Sequence, residues 1–473
     1  MHKDEGGGNP IGVFEIILFL ITLFVLFSIF FPDFTAPEGN LLNIGLFLLY
    51  KAILFVLPYV GIVILGYLTF KMWVHYAQQS FISGIDWILL EIVPPRDVER
   101  SPKAMELFIT NAFYHMSMKG GREEYWQGAV WFWFSMEIVS IDGKVHFYIQ
   151  TPSRVKTLIE TQMYAQFPQA QIKLVKDYTL AVDEISPKSE WNAWGCELKL
   201  VKPEAWPIKT YIDFGLDKDP KEEYKVDPIS PIVEFFGSLQ KGEQAWMQIV
   251  VRPTKKRWKT AGTIFGYHDW VQESRIQMEK WLAPYTRKQV GIDGGTALEI
   301  RPPDAYKLAL AAMNAKTGKL GFDTGIRVMY VAKKEVYNMN NRRNIRLIWR
   351  QYAKPDCNEL TRTNSTQGDA YGSSWLGISS EKVMVLADRM LHEYRERSFF
   401  YHPLRHIIDD HNLRGPVLWL VKQFFLPYFH APYFVLNVEE LATLWHFPGQ
   451  ILRTPTLERI ESKEASPPPN LPT

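Results

Sequence analysis

The densest group of potential metal ligands is the stretch YHPLRHIIDDHNLRG, which supplies His402, His406, Asp409, Asp410 and His411. Two imidazoles four residues apart can share a helix face and hold zinc if a third ligand is suitably placed. Pro403 falls between them, and a polar helix end running into a turn accounts for the same residues. His392 and Glu393 read as a solvated helix face. The pair Gly318-Lys319 in AKTGKLGFD has the look of a phosphate loop, but Leu320 stands where a metal-binding hydroxyl is needed. A helix-to-strand turn explains it better. The sequence holds no GxxxxGK[ST], no HExxH and no GxSxG elbow, and no GxGxxG opens a helix after a strand. No catalytic residue, cofactor or metal is therefore expected.

Two basic stretches have chemistry to offer. Lys255, Lys256, Arg257 and Lys259 surround Trp258, and a helix near 337–350 carries Arg342, Arg343, Arg346 and Arg350. Such residues can neutralise phosphates while the indole stacks on a base. They can equally meet anionic lipid or a protein partner, or form a solvated face. The net charge of +2 does not by itself mark a nucleic-acid binder. Cys196 and Cys357 stand far apart with no CxxC, which excludes a disulfide scaffold and fits a reducing compartment.

The elements that would carry these groups begin at a membrane. Residues 11–31, IGVFEIILFLITLFVLFSIFF, are apolar or small apart from Glu15 and long enough to span a bilayer. A signal peptide fits less well, because MHKDEGGGNP is a poor positive leader and no small-x-small site follows. A second apolar run, AILFVLPYVGIVILGYLTF, is bracketed by Lys51 and Lys71, which can snorkel to the two interfaces. Pro58 predicts a kink in it. Lys3 precedes the first span, Lys71, Arg96, Arg100 and Lys103 follow the second, and the connector PDFTAPEGN has no cation. The positive-inside rule then puts both termini in the cytosol. The acceptor motif Asn364-Ser365-Thr366 would sit on the wrong side for glycosylation and reads as chance.

Beyond the spans the pattern alternates. Ser101-Pro102 opens a helix. EYWQGAVWFWFSMEIVSI reads as a strand, Asp142-Gly143 as a tight hairpin turn, and VHFYIQT as the returning strand. Val155, Leu158, Ile159 and Met163 share a helix face. Strands QIKLV and GCELKLV, a helix at ISPIVEFFGSL and the strand AWMQIVVRP follow. A helix DWVQESRIQMEKWL, another after PPDAYK, and the strand GIRVMYV repeat the layout. Residues 355–378 read as a loop and 381–397 as an amphipathic helix. In NVEELATLWHFPG, Asn437 caps a helix with Glu440 three residues on. This order suggests α+β layers of the ferredoxin-like kind.

Several phrases together carry a resemblance: WILLEIVPPRDVERSPKAMELF, FSMEIVSIDGKVHFYIQTP, QMYAQFPQAQI, GEQAWMQIVVRP, FDTGIRVMYVA, NVEELATLWHFPG and LRTPTLERIESKEASPPPNLP, in that order. Over roughly residues 85–471 the chain resembles the N-terminal region of large bacterial membrane proteins of the type IV secretion or conjugative-transfer ATPase class. In that class the proline-rich phrase leads into a P-loop motor. This sequence stops there and lacks the Walker residues, so the resemblance implies an anchor and platform, not ATP hydrolysis.

The expected architecture is therefore a membrane-anchored α+β protein. A cytosolic tail (1–10), transmembrane helices 11–32 and 44–73 around an external loop 33–43, and a linker 74–103 precede two ferredoxin-like lobes. The lobes cover 104–253 and 301–450, the second with a helical insertion, and a basic, helical connector 254–300 joins them. A proline-rich tail, 451–473, carries Pro467, Pro468 and Pro469 as candidate docking residues. The expected function is a non-enzymatic scaffold in the bacterial inner membrane, part of a secretion or DNA-transfer machine, docking a separate P-loop ATPase and other secretion components. A homo-oligomer is compatible with it. The alternative is a membrane-tethered nucleic-acid-binding module.

Overall fold

A computed structural model of the chain describes residues 41–94, 102–114, 120–217, 227–260, 266–290, 296–300, 303–366, 380–401 and 432–449. The expected first span (11–32), the His402–His411 cluster and the tail with Pro467, Pro468 and Pro469 lie outside these residues.

Helix α1 (Leu41–Ser83) runs without a break through Pro58. It belongs to a compact unit with residues 119–130. There Trp73 meets Trp126 edge-on at 6.0 Å and Phe70 lies 5.8 Å from Tyr125. Gly128, at φ +66°, lies so close to Ala77 that a Cβ would come within 2.1 Å of its carbonyl carbon. Two N-terminal spans were the expectation. Among the described residues one helix is long and apolar enough to cross a membrane, Pro58–Ser83, and it continues past the expected end at residue 73.

The second unit is built on one sheet. Its strands are β1 (Trp87–Val93), β2 (Phe134–Ile141), β3 (Lys144–Pro152), β4 (Gln171–Val175), β5 (Trp191–Leu200), β6 (Glu243–Pro253), β11 (Gly321–Lys333), β12 (Leu360–Thr363) and β13 (Phe434–Asn437). The order is β12-β5-β11-β6-β2-β3-β1-β4, with β13 paired to the start of β11, and every pairing is antiparallel. Two small ribbons, β7 (Trp258–Lys259) with β8 (Tyr267–His268) and β9 (Thr286–Val290) with β10 (Thr296–Ile300), stand apart from it. The expectation of two separate lobes behind two spans is thereby corrected. Both halves of the sheet place their first strand between their third and fourth (β4-β1-β3-β2 and β12-β5-β11-β6). They are fused edge to edge where β2 pairs with β6 from Phe134↔Val251 to Ile141↔Gln244. Two half-sheets with apolar, unpaired edges would each invite association; here each edge covers the other.

One face of the sheet packs on helices α2 (Pro102–Phe113), α4 (Lys156–Gln166), α5 (Ser230–Gly237), α8 (Met339–Leu347) and α10 (Val438–Leu444). Phe108, Ile159, Met163, Phe236, Ile345 and Trp445 meet Met136, Met247, Ile249 and Val328 there. The other face is covered by α9 (Ser380–Glu396), which sets Leu386, Met390 and Tyr394 on Val139, Trp246 and Met329. Both faces are thus buried, and β6 and most of β11 are buried along their length rather than alternating.

The hairpin turn is as the sequence implies. Asp142 (φ 53°) and Gly143 (φ 78°) are both left-handed and link Ile141 to its partner Lys144. Other local expectations are corrected. The aromatic run after Glu123 is not strand throughout: α3 (Gly121–Tyr125) comes first and β2 begins at Phe134. The region 355–378 is not all loop, because β12 pairs with β5 there. The remaining helices, α6 (Trp270–Leu282) and α7 (Asp304–Thr317), flank the smaller ribbons.

Candidate functional site: a buried polar row and an aromatic cleft

A line of directly opposed residues crosses the sheet at one level. It runs Thr363, Glu197, Arg327, Gln248, Glu137, Tyr148, Glu91 and Lys173. Their side chains lie on the sheet face under α9, the face that also carries Val139, Trp246 and Met329. The side chains of Glu137, Glu197 and Arg327 are fully removed from solvent. Such charges persist only when paired and hydrogen-bonded, and these are. Arg327 Nε donates to Glu197 at 3.1 Å, and Asn364 Nδ2 donates to the other oxygen of Glu197 at 2.7 Å. Glu137 accepts from Arg397 Nε at 2.7 Å, Ser135 Oγ at 2.6 Å and Tyr178 at 2.8 Å. Arg397 reaches on to Asp177 at 2.6 Å.

The end of α9 closes this row. Arg397 has φ 48°, which turns the chain back so that Phe399 lies under the Arg327 guanidinium at 4.3 Å. Gly325 makes room for that ring: a Cβ there would meet Phe399 at 2.3 Å. Burial raises the Tyr178 and Tyr394 hydroxyls well above their ordinary range, so both stay protonated. Glu393, expected on a solvated face, is buried and faces Arg327 at 3.6 Å, whereas its neighbour His392 is exposed. The row is a fastening: its carboxylates are committed to guanidinium, amide, hydroxyl and imidazole partners.

A second charged cluster takes in the basic stretch. Arg257 binds Asp323 at 2.7 Å and Glu204 at 2.9 Å, while Arg252 binds the other oxygen of Asp323 at 3.0 Å. Burial weakens the Arg257 charge, but Asp323 and Glu204 outweigh it and raise its pKa. Lys255 lies over the Trp131 ring at 4.9 Å, and Trp258 is half-buried with the Arg257 guanidinium over it at 4.3 Å. Lys256 and Lys259 are exposed. In α8, Arg343 is exposed and Arg342 and Arg346 are half-buried. The two basic stretches are not brought together. One follows Pro253 and the other follows β11, whose last residues pair with Glu243 at the opposite end of β6. The length of β6 puts roughly 30 Å between them.

Lys319, the residue that suggested a phosphate loop, is held by Glu106 at 2.7 Å and Glu439 at 2.8 Å. Lys316, which no sequence signal singles out, is fully buried on Glu440 at 3.0 Å. Glu440 also closes the capping box with Asn437 and accepts from Ile208 N at 2.9 Å. Of the membrane-interface lysines, Lys51 is exposed and Lys71 lies 5.7 Å from the Tyr67 ring, inside the apolar stretch and not at its end. Both cysteines are buried thiols, Cys196 pushed up to about 12 by desolvation, which makes it a poor nucleophile. No cluster of three or more potential metal ligands occurs among the described residues.

The open chemistry is elsewhere. A cleft of about 450 Å³ is lined by Lys202, Pro203, Trp206, Trp281, Tyr306, Ala309, Pro355 and Asp356. Trp281 stacks on Tyr306 at 4.8 Å, and Trp206 stands edge-on to Trp281 at 5.7 Å. Asn358, itself buried, organises the near wall. Its amide donates to the carbonyls of Lys202, Pro203 and Trp206 and accepts from Lys202 N at 2.9 Å. The wall is therefore rigid before anything binds.

A domain whose defining feature is this continuous sheet has a family: residues 86–459 match DUF8128, a domain of unknown function, and the chain belongs to that family. No curated protein and no solved structure matches it.

Proposed function

We propose that this chain is a membrane-tethered, non-enzymatic scaffold whose α+β domain presents binding surfaces to partner proteins. The observation that supports it is the surface of α1. Phe55, Ile62, Val63 and Leu65 are each about two-thirds or more exposed, at 69%, 68%, 72% and 66%, in a run with no charged residue between Lys51 and Lys71. A helix apolar on every side is at home in hydrocarbon or in a large core, and only 12% of the apolar window is buried. Pro58–Ser83 would be about 39 Å long, enough to cross a hydrocarbon layer of about 30 Å. The paired charges of the sheet and the inert thiols agree with a role without catalysis. The resemblance noted in the sequence makes a separately encoded P-loop ATPase the partner to seek, in a secretion or DNA-transfer setting.

The test is extraction. Membranes carrying the full chain are washed with alkaline carbonate and then solubilised in mild detergent, and co-purifying chains are identified by mass spectrometry. The chain is expected in the pellet, and the triple variant Ile62→Asp, Val63→Asp, Leu65→Asp is expected to lose most of that retention. Release of the wild-type chain by carbonate would overturn the tether. Recovery of the chain with no ATPase would leave a tethered scaffold with a different partner.

A further inference from the structure

We infer that the aromatic cleft is a polyproline-binding site, and that its occupant is the segment Ser466-Pro467-Pro468-Pro469-Asn470-Leu471-Pro472 of the same chain. The cleft has what such a ligand needs. Proline-rich segments in the polyproline II conformation dock against parallel aromatic walls, because each pyrrolidine ring offers a flat apolar face and the conformation is already set in the free state. Trp281 and Tyr306 form one such wall, stacked at 4.8 Å and tilted by 23°. Trp206 closes the other side, edge-on to Trp281, and Tyr285 extends the Tyr306 side at 5.0 Å. Among the described residues neither the Trp206 nor the Trp281 indole N–H has a hydrogen-bond partner. Polyproline carbonyls have none of their own either, since that helix makes no internal hydrogen bonds. Donor and acceptor therefore match.

The cleft's charge argues for a peptide over a nucleotide. One cation, Lys202, is balanced by one anion, Asp356, so no phosphate site is built. Lys202 also suits Glu464, which precedes the prolines. Three prolines in a row span about 9 Å in this conformation, a fair match to a cleft of about 450 Å³.

Reach is sufficient. The described chain ends at Gly449, where the backbone N–H is tied to Asp227 at 3.2 Å. Seventeen residues lie between Gly449 and Pro467, and an extended chain of that length covers up to about 60 Å. A domain of this size is about 50 Å across. The assignment stands whether or not α1 enters a membrane.

The experiment uses the full-length protein in detergent. Tyr306→p-benzoylphenylalanine places a photoprobe in the cleft wall, and crosslinked peptides are mapped by mass spectrometry. The expected product joins position 306 to residues 464–473 of the same chain. Its yield falls about tenfold when Pro467, Pro468 and Pro469 are all replaced by Ala, since the prepaid order of the ligand is lost. Crosslinks to any other segment, to a second copy, or with a yield indifferent to the prolines overturn the assignment. A second readout leaves Tyr306 intact. Trypsin cleavage after Lys463 is slow in the parent chain and about tenfold faster in the triple Ala variant; equal rates overturn it as well.

Discussion

Arg397 and Glu137 show what single residues contribute here. Their contact is nearly solvent-free, at 2% and 0% side-chain exposure, so the pair adds little net stability while the loss of one partner is costly. Arg397→Met strands the Glu137 carboxylate and is expected to destabilise by about 3–5 kcal/mol, read from the denaturant midpoint. Adding Glu137→Gln should restore part of that loss; a double variant no better than the single would show the pairing to be unimportant. Acid supplies a second test. Burial pushes the Asp177 carboxyl up, but hydrogen bonds and charge from Arg397, with two bonds from Thr179, outweigh it and hold the pKa below its ordinary value. A hydrogen bond from His146 holds Glu91 down in the same sense. Groups with lowered pKa contribute stability above the unfolded value and lose it as pH falls through the folded one. Stability should therefore fall from about pH 4 downward, and Asp177→Asn should flatten that limb. Glu204 and Glu440, raised by burial, act in the opposite sense, gaining as pH falls toward the ordinary carboxylate range. At this scale the sequence carried a signal that pattern reading passed over. FSMEIVSI and GIRVMYV each hold one charge inside an apolar strand, and GCELKLV holds Glu197 two residues before Lys199; a charge inside such a strand needs a partner. Which partner could not be read, since Glu197 and Arg327 lie 130 residues apart. Arg257 was legible as a cation but not as one already committed to Asp323.

The elements show where local chemistry suffices. The Asp142-Gly143 turn and the Asn437 cap follow from two and four residues of sequence, and both form as implied. Asn437→Ala should cost about 1 kcal/mol, or somewhat more because Glu440 also anchors Lys316 and Ile208. Thermal unfolding would measure it; no change would mean that the cap is redundant with packing. The return loop after α9 was not legible, because the space it fills belongs to another strand. Gly325→Ala drives a methyl into the Phe399 ring and should destabilise by about 1–3 kcal/mol. Phe399→Leu in that background should recover part of the loss, so the two substitutions would not add. The sixteen tryptophans of the chain misled in one place: the aromatic run before β2 has strand composition, yet a short helix and a bend occupy its first half.

At the scale of the molecule, alternating helices and strands spoke for α+β layers, but composition cannot say whether two half-sheets face each other or join. They join through β2 and β6, which makes one hydrogen-bonded body. A single cooperative transition is expected for the sheet, with β2, β5, β6 and β11 exchanging their amide hydrogens together in denaturant. Two resolved transitions would mean that the halves open separately. The polar row bears on how so long a sheet finds its alignment. Strands buried on both faces have few features by which to choose among offsets. A slip of one residue turns the apolar set over and is excluded at once. A slip of two keeps every apolar side chain on its own face and is nearly invisible to hydrophobic packing. It is not invisible to the row. Moving β11 by two residues along β6 sets Arg327 opposite Trp246 or Val250 in place of Gln248 and takes it from Glu197, leaving ions in the interior with no counterpart. The eight aligned residues thus act like the notches of a ruler, each meaningless alone, together permitting only one reading of where the strands begin.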